Sequence, residues 1–252
     1  MVDATFSSGG IEIAYRDEGT GEPILLIHGF ASNIRANWVD TGWFRTLLGD
    51  SRRVIAIDNR GHGNSEKLYD EAAYGAELMA GDALRLLDHL GIERADVMGY
   101  SMGARITAFL CFADQERVRS AIFGGLGINM VRGLAGARPI SAALLAPSIN
   151  DVKNEAARTF RHFAEQTHSD LRALAACILA SRGKVTAEQL ATIKVPVLVA
   201  VGGDDVIGGS PDALAALIPN ARAITLPGRD HMKAVGDRGY KDAVLAFLKE
   251  RP

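Results

Sequence analysis

Short, largely apolar runs recur along the chain at residues 24–27, 54–57, 96–99, 121–123, 197–201 and 223–226, most of them ending at Gly, Asp or His. Runs of this length, rich in β-branched residues and bounded by turn formers, suit strands buried on both faces. Between them lie stretches of helical periodicity at 43–48, 75–90, 102–113, 211–217 and 240–249. The clearest is 75–90, where Leu78, Ala83, Leu86, Leu87 and Leu90 follow the i, i+3, i+4 spacing and Gly91 supplies the stop. Near the start, Ile11-Glu12-Ile13-Ala14-Tyr15 alternates after Ser8-Gly9-Gly10 and reads as half of a hairpin. The succession of strands and helices predicts an α/β fold with a mainly parallel sheet flanked by helices.

One stretch breaks the rhythm. From about 128 to 193 there is no strand pattern, only Ala- and Leu-rich helical segments such as 142–145, 154–166 and 170–181. An insertion between two parallel strands rises from the sheet's C-terminal edge, where open α/β sheets bind ligands. The expected organisation is a core of residues 1–127 and 194–252, with a small helical cap, 128–193, inserted between the sixth and seventh strands. The alternative is that these helices pad the core. No linker, charge block or repeat divides the chain further.

The chemistry is concentrated in Gly99-Tyr100-Ser101-Met102-Gly103, which follows a predicted strand and opens a predicted helix. In that setting a G-x-S-x-G pattern is a nucleophile elbow. Glycines at 99 and 103 remove the Cβ atoms that would clash where a strand turns straight into a helix. Ser101 is thereby thrust above the sheet, with the positive end of the helix dipole beneath any developing negative charge. A serine hydroxyl requires a base, and the base an orienting acid. Of the six histidines, only His231 follows the last apolar run and precedes the final helix, on the sheet edge that carries Ser101. The run 197–201 is followed by Gly202-Gly203-Asp204-Asp205, so both carboxylates are in reach of the base. The chain order Ser, Asp, His is that of this elbow type. Asp205 is the preferred acid, with Asp204 as a capping or loop-shaping residue.

Together, His28-Gly29-Phe30, the loop Asp58 to Ser65, the elbow, Gly202-Gly203-Asp204-Asp205 and His231 give the chain a pattern that resembles the α/β-hydrolase superfamily over nearly its whole length. The family's spacing, with the acid three residues after the glycine that ends its strand, supports Asp205. The resemblance implies that the backbone N–H groups of Phe30 and Met102 form an oxyanion hole, and it implies acyl transfer to water with no cofactor. Two departures stand out. Ala104 replaces a usual Gly after the elbow, and Asp230, expected to pair with Arg229 or to tune the base, replaces a usual Gly before His231.

Composition narrows the function further. With 252 residues, 48% of them hydrophobic, the chain is long enough for one substantial core. Its 28 Lys and Arg against 30 Asp and Glu leave no excess positive charge for nucleic acid or an anionic membrane. Cys111 and Cys177 are too few for a disulfide framework or zinc site and read as buried thiols in a reducing compartment. No metal or organic cofactor is expected, because there is neither clustered ligand spacing nor a G-x-G-x-x-G loop. Residues 1–10 lack a basic stretch before an apolar run, and no run approaches about 18 apolar residues, so a cytoplasmic location is expected.

The substrate depends on the cap. Ile140, Leu144, Leu145, Phe160, Phe163, Leu171, Leu174 and Ile178 are available as an apolar roof, with Phe163 and Leu174 as pocket candidates. Trp38, with Trp43 and Phe44, is a candidate for the pocket wall or for a helix core. His62 is a candidate for the pocket or for loop structure. These features favour a small or medium, largely apolar carboxylic ester, hence a carboxylesterase whose partner is a small-molecule ester, with neither nucleic acid nor membrane expected and the oligomeric state open. An enol-lactonase or carbon–carbon hydrolase would act on acidic substrates and require an arginine clamp from Arg35, Arg105 or Arg132. A perhydrolase using the same triad, or a non-catalytic ligand receptor, completes the alternatives.

Overall fold

The computed structural model describes residues 4–133, 136–180 and 184–251. Ser181, expected to end a helix, and the outermost core residues 1–3 and 252 lie outside the described residues. Eight strands make one sheet: β1 (Ala4–Ser8), β2 (Ile11–Glu18), β3 (Pro23–Ile27), β4 (Arg53–Ile57), β5 (Ala95–Tyr100), β6 (Val118–Gly124), β7 (Val197–Gly202) and β8 (Ala221–Leu226). Their order is β1-β2-β4-β3-β5-β6-β7-β8. The β1–β2 and β2–β4 pairs are antiparallel and the rest parallel. The helices of the first half are α1 (Trp43–Gly49), α2 (Ala76–His89) and α3 (Met102–Asp114). Between β6 and β7 come α4 (Asn129–Arg132), α5 (Ala137–Leu145), α6 (Glu155–Gln166), α7 (Leu171–Ala180) and α8 (Ala187–Leu190). The last three are α9 (Pro211–Ala215), α10 (His231–Ala234) and α11 (Arg238–Glu250).

The period-2 geometry of a strand explains why the predicted runs are apolar throughout. Leu25, Ile27, Ile55, Ile57, Val97, Phe123, Val197 and Val199 face one side, where they meet residues of α2, α3 and the helices inserted after β6. Ile24, Leu26, Val54, Ala56, Met98, Ile122, Leu198 and Ala200 face the other, where α1 and α11 cover them with Trp43, Leu47, Tyr240, Val244 and Phe247. At roughly 25 cal/mol per Å² of apolar surface removed from water, these two layers are the main stabilising contribution.

Several element ends differ from expectation. β6 begins three residues earlier than 121 because its polar start has partners: Ser120 Oγ donates to Asp96 at 2.7 Å, and Arg119 lies 3.6 Å from the same carboxylate. α11 begins at Arg238, since Asp237 caps it by accepting from Gly239 and Tyr240. Along α2 the buried stripe is Met79, Ala83, Leu86 and Leu87, and Leu78, one residue out of step, is exposed.

Candidate active site

β5 ends at Tyr100 and α3 begins at Met102, so Ser101 alone makes the turn, with φ 56° and ψ −111°. A non-glycine residue there is strained, and the surroundings hold it in place. A Cβ on Gly99 would lie 2.1 Å from the Gly103 carbonyl oxygen, and one on Gly103 would lie 1.9 Å from that of Ile27. The Ser101 N–H is anchored on Gly124 O at 2.7 Å. The hydroxyl therefore projects from the C-terminal edge of the sheet.

His231 follows β8 as the first residue of α10, and its Nε2 lies 3.0 Å from Ser101 Oγ. Its Nδ1 lies 2.7 Å from Asp205 Oδ2. The other oxygen of Asp205 accepts from the N–H groups of Ile207 and Gly208, both at 2.8 Å. An ionised carboxylate only accepts, so this network assigns the imidazole proton to Nδ1 and leaves Nε2 to accept from the serine. Asp204 is exposed, and its backbone N–H donates to Arg229 O at 3.0 Å. Asp230 caps α10 by accepting from Met232 and Lys233, and Lys233 holds its carboxyl below the usual range. The expected Asp230–Arg229 pair is replaced: Arg229 pairs with Asp237 at 2.6 Å, and Asp230 with Lys233 at 2.8 Å. The departure from glycine at 230 thus caps the helix that carries His231.

Two contributors escape the sequence reading. Tyr100 donates through its hydroxyl to His231 O at 2.6 Å, with its ring 5.5 Å from the imidazole. Burial pushes its phenol well above the usual range, so it remains a donor. It occupies the variable second position of the elbow, which carries no signal of its own. Asn37 sits in a single π-helical turn, Arg35–Val39, and its Oδ1 accepts from Gly29 N–H at 3.2 Å. Its only sequence signal is a polar residue beside two that pack inward.

Strand register carries Phe30 and Met102 to the same edge of the sheet. β3 and β5 are adjacent and parallel with Ile27 opposite Gly99, so each residue stands three positions beyond the matched pair. Met102 N–H is one of the first four of α3, which lack an intrahelical acceptor. Behind Phe30, His28 is buried with Nδ1 2.7 Å from Gly29 O and Nε2 accepting from Asn59 N–H at 3.0 Å. His62 is also buried, its ring 5.3 Å from that of His28 and 5.9 Å from that of Phe30, and Nδ1 donates to Arg60 O at 2.9 Å. Burial pushes the two rings down to about 3 and about 4 respectively, which keeps both neutral.

Ser101 and His231 open into a cavity of about 810 Å³, whose walls include Phe30, Ile140, Phe160, Phe163, Ile207 and Met232. Phe163 is on this wall as expected, but Trp38 and Leu174 are not. Trp38 packs edge-on to Trp43 at 6.3 Å within the layer over α1 and α11, and Leu174 is fully buried among the inserted helices. Trp43 and Phe44 share the layer of Trp38. Leu145 is exposed and lies off the wall. None of Arg35, Arg105 and Arg132 lines the cavity; Arg35 pairs with Asp40 at 3.6 Å, and Arg105 approaches Asn129 O at 3.5 Å. Among the described residues, no three His, Cys, Asp or Glu side chains are grouped to hold a metal, and no helix is long and apolar enough to cross a membrane.

Comparison with known proteins places this geometry. Residues 22–134 match the family described as alpha/beta hydrolase fold. The bromoperoxidase structure from Bacillus anthracis superposes with a TM-score of 0.79 over 99% of this chain and 100% of that one, at 22% identity. The chain has the α/β-hydrolase fold. A 2-hydroxymuconate semialdehyde hydrolase from Pseudomonas sp. (strain CF600) is 37% identical over 48% of this chain and 43% of its own length. The dihydrolipoyllysine-residue acetyltransferase component of an acetoin cleaving system from Pseudomonas putida is 30% identical over 91% of this chain and 64% of its own. The matched segments span 28% to 64% of the curated relatives' lengths.

Proposed function

We propose that the protein is a serine hydrolase that cleaves a small or medium, uncharged carboxylic ester. The observation that carries this reading is the hydrogen-bonded line Ser101–His231–Asp205 at the base of an apolar cavity. Ser101 Oγ attacks the carbonyl carbon while His231 Nε2 takes its proton. Asp205 holds the imidazole and balances its charge. The tetrahedral oxyanion is received by the N–H groups of Phe30 and Met102. His231 then returns the proton to the departing alkoxide, which leaves as the alcohol. Water repeats the sequence on the acyl-enzyme and releases the acid. Each oxyanion donor contributes on the order of 3 kcal/mol to such a transition state. Residues 128–193 act as a cap, supplying Ile140, Phe160 and Phe163 to the wall.

The choice of an uncharged ester rests on the wall itself, which among the described residues includes no Lys or Arg. A carboxylate-bearing enol-lactone or vinylogous diketone would enter this cavity without a counter-charge, at a considerable desolvation cost. The test is a panel of p-nitrophenyl esters run beside an enol-lactone and a vinylogous diketone acid, with fluorophosphonate labelling of Ser101. Esters should turn over fastest, and Ser101→Ala should abolish labelling and reduce turnover by about 10³-fold or more. Faster turnover of the acidic substrates would overturn the ester assignment. A folded wild-type protein that resists labelling would point to a non-catalytic receptor.

A further inference from the structure

Five large hydrophobic side chains are exposed among the described residues, and two of them, Val206 at 90% and Met232 at 49%, border the cavity. Each directly follows a member of the hydrogen-bonded line, Val206 after Asp205 and Met232 after His231. Neither placement is accidental packing: Ile207 and Gly208 are fixed by donating to Asp205, and Met232 N–H is fixed on Asp230. Ile207 and Val235, both half-buried, extend the same strip of wall.

The directions available at the reacting carbon assign this strip to one part of the substrate. Of its four substituents in the tetrahedral adduct, one is Ser101 Oγ and one is the oxyanion, directed at the Phe30 and Met102 amides. The leaving oxygen must lie within reach of His231 Nε2, because that atom returns the proton. The leaving group therefore runs along the wall formed by the residues next to His231 and Asp205. The acyl chain takes the remaining direction, towards Ile140, Phe160 and Phe163, which are buried or half-buried. One side of the site is enclosed and the other is an apolar lip open to solvent.

We propose that Val206 and Met232 are specificity-determining residues that bind an extended apolar alcohol, so that the enzyme selects esters with a long apolar leaving group and a limited acyl chain. This rests on the ester reading above. The experiment records kcat/KM for n-alkyl acetates from methyl to octyl and, separately, for ethyl esters from acetate to octanoate. The alcohol series should rise about threefold per methylene over its first members and then level, whereas the acyl series should pass through a sharp maximum. The double variant Val206→Ser, Met232→Ser should flatten the alcohol series and leave the position of the acyl maximum where it was. Leu145→Ser, an equally exposed change off the wall, should alter neither series, and melting temperatures establish that each variant is folded. A double variant with the full alcohol slope, or one that moves the acyl maximum, overturns the assignment of the lip. Wild-type turnover with no alcohol slope overturns it too while sparing the ester reading; wild-type failure on every ester overturns both.

Discussion

At the residue scale, two aspartates adjacent in sequence have very different surroundings. Asp205 is buried, holds His231 with one oxygen and two backbone amides with the other, whereas Asp204 faces solvent. Asp205→Asn presents an amide where Nδ1–H needs an acceptor and should lower kcat by about 10³-fold or more. Asp204→Asn should stay within about threefold. Equal losses in the two variants would contradict the assignment. His28 and His62 predict a different response. Their rings stay neutral when folded down to about pH 3 and about pH 4, whereas in the unfolded chain they protonate near 6.5. Below pH 6.5 the unfolded state therefore binds more protons, and stability, complete above that value, falls as the pH falls. At pH 5 each ring should cost about 2 kcal/mol relative to pH 7. Urea unfolding at the two pH values measures the drop, and His62→Gln should remove about half of it; an unchanged drop would mean that His62 is not its source.

At the element scale the same chemistry appears as loops at one edge of a sheet, and this was the most legible part of the sequence. Strand runs, the elbow and the helix after it could be read because fully buried strands are apolar on both faces and a strand-to-helix turn requires small residues. The facing of α7's side chains could not be read, since that Ala- and Leu-rich helix is apolar nearly all round, and α6, though amphipathic, has an apolar stripe whose partner the sequence does not name. Leu174 on α7 and Phe163 on α6 were equal candidates, but only Phe163 reaches the cavity. The structure now separates them. Phe163→Ala should move the optimum of the acyl-length profile to longer chains with little loss of stability. Leu174→Ala should cost about 2–5 kcal/mol and leave the optimum unmoved. Acyl-length profiles with chemical unfolding decide; a shifted optimum in Leu174→Ala, or none in Phe163→Ala, would contradict the cap's role in selectivity.

At the scale of the whole molecule, the two edges of the sheet do different work. The C-terminal edge carries the strained serine and the cavity, while the N-terminal edge is closed by charge. Asp96, fully buried at the start of β5, accepts from Ser120 at 2.7 Å, from Arg52 at 3.2 Å and from Arg251 at 2.7 Å. Arg251 also reaches Glu22 at 2.7 Å, tying the end of α11 to the loop before β3. None of this was visible in sequence, because the partners lie 24 to 155 positions from Asp96 along the chain. A buried carboxylate losing one of its cations is left under-compensated, and removing a partner from such a pair typically costs about 3–5 kcal/mol. Here Arg52 and Arg119 remain close to Asp96, so Arg251→Met, which keeps much of the aliphatic stem, should cost less, about 1–3 kcal/mol. Because the sheet separates this cluster from Ser101, kcat/KM on a preferred ester should be unchanged at temperatures where the variant is folded. Chemical unfolding and ester turnover on the same preparation check both halves of the prediction. A loss of activity without a loss of stability would show that the two edges are coupled through the sheet, and the division of labour between them would have to be abandoned.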